Sequence, residues 1–235
     1  METKNLYEIN PADDLRIATT PDGKSIRFFD RKTDRKVKLM FGGSKNVELQ
    51  HYFLNQLKGF HLNSNDKYKT ADKGFVTVCL EEGHPLLAKL EALDTLAYEY
   101  ACAQEGKQLV RDGDKKDYSS ILFHPTNPTT NQKTSYKTVT FKTTRDPERN
   151  DYIAKARLLS DVRNGDTETV HSIELLQPKQ RVVVVADAIL YNVRGSYNVS
   201  LFMTDVMLDN PPADAREPVF ELPEHLGAQY GGVQA

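Results

Sequence analysis

The residues in this chain best suited to chemistry are aromatic rings and cations at alternate positions of β-like runs. In 197–208, Val199, Leu201 and Met203 share one face, and Ser200, Phe202 and Thr204 share the other. Phe202 is the bulky apolar residue on that polar side. In 134–145, Val139 and Phe141 mark the apolar face, while Tyr136, Thr138, Thr140 and Lys142 point the other way. In 152–159, Lys155 and Arg157 alternate on one side, with Tyr152 on the opposite side of a regular strand. Arg181 and Arg194 stand at the ends of a long hairpin pattern, and Lys36 and Lys38 share a strand face. Rings standing out from a strand can stack on bases, at about 1–3 kcal/mol per base and with little regard to sequence. Cations beside them neutralise phosphates and release counterions, which makes such binding salt-dependent. The expected contact set is therefore Phe202, Tyr136, Tyr152, Lys142, Lys155, Arg157, Arg181, Arg194, Lys36 and Lys38, with Tyr197 a further ring. An ordinary amphipathic strand with solvated lysines would carry a similar pattern.

Catalytic patterns are weaker. His51, His61, His84, His124, His171 and His225 form no pair at metal-ligand spacing. Gly42-Gly43-Ser44-Lys45 lacks the spacing of a phosphate loop and reads as a turn. The acids of 112–117 alternate with Lys115 and Lys116, which disfavours a metal cluster. No nucleophile-elbow pattern occurs. Cys79 and Cys102 lie in apolar patterns and read as buried free thiols of a reducing compartment. The expectation is a binding protein that is not an enzyme and needs no cofactor or metal.

These side chains need a scaffold, and 235 residues with 39% hydrophobic content can bury a core without staples. The formal net charge of −2 does not by itself point to a polyanion. Its distribution is more telling. Arg27, Arg31, Lys32, Arg35, Lys36 and Lys38 stand against Asp30 and Asp34, whereas 205–224 is acidic. No apolar run approaches the roughly 20 residues that cross a bilayer, and 1–10 is polar without a signal core, so an intracellular soluble protein is expected.

Strands are expected at 15–19, 25–29, 36–41, 74–80, 121–123, 134–145, 152–159, 170–176, 181–191 and 197–208. A helix opens at Pro85, carries Leu86, Leu90, Leu93, Ala97 and Tyr100 on one stripe, and ends near Gly106. A further helix is expected after Ser44, from Leu49, Phe53 and Leu57. Asn164-Gly165 reads as a hairpin turn. The fold class is mainly β (α+β). The element order fits a closed or partly closed barrel with extra N-terminal strands and a helical insertion at about 85–105. One domain, 1–210, is followed by a tail, 211–235.

Two stretches then resemble the single-stranded DNA-binding protein family of short-tailed phages. The first is Gly74-Phe75-Val76-Thr77-Val78-Cys79-Leu80, a short turn, and the helix ending in Ala97-Tyr98-Glu99-Tyr100-Ala101-Cys102-Ala103. The second is the hairpin of 181–208, with Gly195-Ser196 at its turn and Val206-Met207-Leu208 at its close. The resemblance covers roughly 70–210. It implies that the barrel is a five-stranded one of the OB type, and that it binds single-stranded DNA without sequence preference in viral replication or recombination, in the cytoplasm of a host cell. Implied partners are single-stranded DNA, replication proteins such as a polymerase or helicase, and a second copy in a homodimer, with no membrane. The family's long acidic tail, ending in an aromatic residue, is implied to recruit partners and compete with DNA. Here the acids are sparse and the last residue is Ala235. The competing expectations are a β-rich structural or scaffolding viral protein, an RNA-binding barrel and a metal-dependent nuclease.

Overall fold

The computed structural model describes residues 1–42, 53–55, 61–62, 73–111, 117–146, 148, 151–176 and 181–208. The N-terminal part supplies β1 (Glu2–Asn5), a short α1 (Pro11–Asp14), β2 (Leu15–Thr19), β3 (Ile26–Asp30) and β4 (Val37–Phe41). The middle supplies β5 (Phe53–Asn55), β6 (His61–Leu62), β7 (Lys73–Glu81) and the long α2 (Pro85–Glu105). Next come β8 (Tyr118–Ser119), β9 (Leu122–Phe123), β10 (Tyr136–Asp146), β11 (Asp151–Tyr152), β12 (Lys155–Leu158), α3 (Leu159–Arg163) and β13 (His171–Ser172). The described chain closes with β14 (Arg181–Val193) and β15 (Ser196–Leu208).

Backbone pairing closes five of these strands into a ring. β5 pairs with β7, β7 with β10, β10 with β15, β15 with β14, and β14 returns to β5. Every contact is antiparallel except β10–β15. A five-stranded closed ring with one parallel contact is an OB-type barrel. Inward side chains alternate along each long strand. Val76, Val78 and Leu80 of β7, Val139 and Phe141 of β10, Val184 and Ala186 of β14, and Leu201 and Met203 of β15 share one core. Phe41 from β4 packs edge-on against Phe141, with ring centroids 5.0 Å apart. The β14–β15 ladder shifts register between Val185 and Ala186, a bulge of the kind that lets a barrel strand bend.

Helix α2 sits where its pattern places it. Pro85 occupies its first turn, and the His84 ring accepts from the Leu86 N–H at 3.2 Å. Gly106 ends it at φ 64°, a left-handed position that costs glycine nothing. Leu86, Leu90, Leu93, Ala97 and Ala101 enter the core. Asp94, buried on the same helix, ties it to the following loop. It accepts from Tyr118 Oη (2.9 Å), Ser120 Oγ (2.8 Å), the Ile121 N–H (2.8 Å) and Arg111 Nη2 (2.6 Å). Among the described residues no helix is long and apolar enough to cross a membrane.

Three local expectations fail. The helix expected after Ser44 gives way at 53–55 to β5, because its backbone pairs with a strand on each edge; the rest of that segment lies outside the described residues. Asn164-Gly165 ends helix α3 instead of turning a hairpin, with the Gly165 N–H donating to the Val162 carbonyl at 3.1 Å. The strand expected at 170–176 keeps only β13, and Ile173–Leu175 turns as a 3-10 helix.

Candidate nucleic-acid interface

The outer face of the barrel is built by the alternate residues that do not enter the core. Register aligns four of them in one row across neighbouring strands. Phe75 of β7 stands opposite Lys142 of β10, Lys142 opposite Phe202 of β15, and Phe202 opposite Asp187 of β14. Phe75, Lys142, Phe202 and Asp187 are half-buried, so each keeps part of its side chain in solvent. Neighbouring strands lie about 4.8 Å apart, so rings and charges in such a row are within reach of one ligand. Tyr191, further along β14, is 38% exposed and holds its ring centroid 6.3 Å from that of Phe202.

The polar groups around the row are held in place by neighbours. Lys142 Nζ donates to Ser200 Oγ at 3.0 Å. One strand further, Thr77 and Thr140 join their hydroxyls at 2.9 Å. Lys38 Nζ reaches over β14 to Thr204 Oγ1 at 3.0 Å. Lys36 Nζ meets Asp187 Oδ2 at 3.1 Å, and Arg27 Nη1 meets the same oxygen at 3.3 Å. Further along β15, Lys155 stands opposite Asp205 and Arg157 opposite Met207, with Ala156 between them in the core. Lys155 is ion-paired to Asp151, and an Arg157 Nη1 proton goes to the Thr167 carbonyl.

The structure thus gathers Phe202, Lys142, Lys36 and Lys38 on one face and sets Lys155 and Arg157 beside the same strand. It separates the others. Tyr136 lies on the outer side of β10 but is only 4% exposed, packed on Cys79, whose thiol burial pushes up to about 12. Tyr152 is 1% exposed and belongs to the core, with Arg145 over its ring at 5.3 Å. Neither ring offers a face for stacking. Tyr197 is likewise in the core, and its phenol, pushed up to about 12 first by burial, donates to Glu105 Oε1 at 2.8 Å. Arg194 stands exposed at the β14–β15 turn, with φ 55°, away from Phe202 along the hairpin. Arg181 opens β14 opposite Leu54, and its side chain lies outside the described residues.

Phe75 and Tyr191 escaped the sequence reading, and Arg27 entered it only as part of the basic cluster of 27–38, not as a contact residue. The alternation of Gly74 to Leu80 already sets Phe75 apart from Val76 and Val78. Only cross-strand register brings it beside Lys142.

No family model matches this sequence, and no curated protein matches it. Among solved structures, the chain is similar to the single-stranded DNA-binding protein encoded by bacteriophage T7. That pair shares 13% identity and a TM-score of 0.41, covering 73% of this chain and 94% of that one. It is also similar to the single-stranded DNA-binding protein from bacteriophage Enc34. In complex with single-stranded DNA, that protein gives 8% identity and a TM-score of 0.44, covering 89% of this chain and 100% of that one. Without DNA it gives 10% identity and a TM-score of 0.42, covering 89% and 94%. Overlaps this loose transfer no residue role to this chain.

Proposed function

We propose that this chain binds single-stranded DNA without strong sequence preference, along the outer face of the barrel, and serves viral DNA replication or recombination without catalysing a reaction. The observation that carries the reading is the register-aligned row Phe75–Lys142–Phe202, two half-exposed rings flanking a cation on adjacent ring strands. Such a row suits a strand whose bases are unpaired. Every base has a π-face for Phe202, Phe75 or Tyr191, and the phosphates between successive bases fall to Lys142, Lys38 and Lys36. A duplex hides its base faces in its own stack and offers only phosphates, so it loses the ring contribution. OB barrels bind oligonucleotides on the face formed by their second and third strands, and in this ring those strands are β7 and β10.

The test is fluorescence anisotropy with a labelled oligo-dT of about 30 nucleotides, long enough to fill one OB site of up to about 16 nucleotides. It is run at two salt concentrations beside a duplex and an oligo-rU of equal length. The reading expects binding to the dT strand that exceeds binding to the duplex and weakens with salt. Absence of binding at low salt contradicts it. Preference for rU would move the ligand to RNA on the same face.

A further inference from the structure

Asp187 is the acid in the row, and its surroundings are unusual for a surface carboxylate. Two cations from different segments converge on one of its oxygens, Arg27 of β3 at 3.3 Å and Lys36, just before β4, at 3.1 Å. Its other oxygen, Oδ1, is buried and accepts no hydrogen bond among the described residues. Arg27 Nη1 is likewise buried without a hydrogen bond there, while its Nε donates to Ser25 Oγ at 3.0 Å. The cluster is therefore two positive charges on one half-used carboxylate, directly beside Phe202.

We infer that the Arg27–Lys36 pair is a phosphate subsite for the DNA backbone, occupied in the free protein by Asp187 Oδ2 acting as an internal competitor. The inference rests on the single-stranded DNA reading and deepens it. A phosphodiester next to a base stacked on Phe202 falls within a strand spacing of Asp187. One anionic oxygen can take the Lys36 ammonium, and the second can take Arg27 Nη1, now buried behind Asp187, once that carboxylate gives way. Because the cluster keeps one net positive charge, it still attracts a phosphate. Because Asp187 is already there, the gain on binding is smaller than two free cations would give. The consequence is a face that binds strongly enough to cover a strand and releases it readily.

The experiment compares wild type, Asp187→Asn, Lys36→Met and the double variant Lys36→Met with Asp187→Asn in dT anisotropy across a salt series. Asp13→Asn on α1 serves as a charge control away from the face, and thermal melting reports folding. Asp187→Asn is expected to bind at least about threefold tighter at low salt, with the slope of log Kd against log salt steeper by about 0.7–1.4, one or two further counterions. Adding Lys36→Met is expected to cancel most of that gain, and Asp13→Asn to leave affinity unchanged. Three results overturn the inference while leaving the DNA reading intact: wild-type binding with no gain in a folded Asp187→Asn, a gain that survives Lys36→Met, or an equal gain in Asp13→Asn. If Asp187→Asn does not fold, Lys36→Met alone decides. A slope lower by about 0.7 supports the subsite, and an unchanged slope overturns it. Failure of the wild type to bind dT overturns the DNA reading itself.

Discussion

Phe202 and Tyr152 both sit on alternating runs, yet they end in opposite surroundings, and substitutions should separate them. Phe202 is half-exposed with a cation on one side and an acid on the other. Phe202→Ala is expected to weaken dT binding by about 1–3 kcal/mol in anisotropy titration and to change the melting temperature little. Tyr152 is fully enclosed. Tyr152→Ala is expected to cost about 3–5 kcal/mol of stability in urea unfolding, through the lost burial and the cavity left behind. The affinity of its folded fraction should be unchanged. Alternation along one strand was enough to place Phe202 and Lys142 off the core face. It could not show what covers them, which is why Tyr136, on the correct side of β10, turned out to pack on Cys79. Arg27 and Tyr191 were illegible for a different reason. Arg27 acts across the β3–β14 contact, and Tyr191 meets Phe202 through the β14–β15 register; side-chain period carries neither.

At the scale of elements, the long strands and α2 were readable because local signals agreed. Proline opens α2, apolar residues recur along one stripe, and glycine ends it. The β14–β15 hairpin turns at Arg194-Gly195, both at positive φ, as its sequence suggests. The short pieces were not readable. β5 has three residues, and the parallel β10–β15 contact aligns only two residue pairs, yet both are needed to close the ring. Pairing of such length comes from tertiary context, not from propensity. The tie between α2 and the loop after it also concentrates energy in one residue. Asp94→Ala would strand Tyr118, Ser120 and the Ile121 N–H and release Arg111. A loss of about 3 kcal/mol in chemical unfolding is expected, as for one partner removed from a buried charged network. None of these partners lies in the outer row, so dT affinity of the folded fraction should stay unchanged.

For the whole molecule, two global properties follow from charge. Asp30 is buried and receives Lys4 Nζ at 2.7 Å and the Thr33 N–H at 2.7 Å. The Lys4 hydrogen bond first, then the Thr33 N–H, holds its carboxyl well below the usual carboxylate range. A carboxyl lowered on folding stabilises the fold fully above its ordinary range, and that contribution is lost as pH falls. Asp30→Asn should therefore melt at a lower temperature than wild type at neutral pH, with the gap closing below about pH 4. The second property is the response to salt. Lys142, Lys38 and Lys36, with Lys155 and Arg157 beside them, would make about three to five phosphate contacts, giving a slope of log affinity against log salt of about −2 to −3.5 for a single strand. The near-neutral net charge does not oppose this, since the cations are gathered on one face.

The most direct measurement is photocrosslinking of an oligo-dT carrying iodinated uracil, with the modified residue located by peptide mass spectrometry. Crosslinking of this kind favours a base held against an electron-rich side chain, aromatic rings above all. Adducts at Phe202, Tyr191 or Phe75, lost at high salt, are the expected result. Adducts confined to aromatic residues away from the row, such as the exposed Phe123, would contradict the assignment of the outer face as the DNA track.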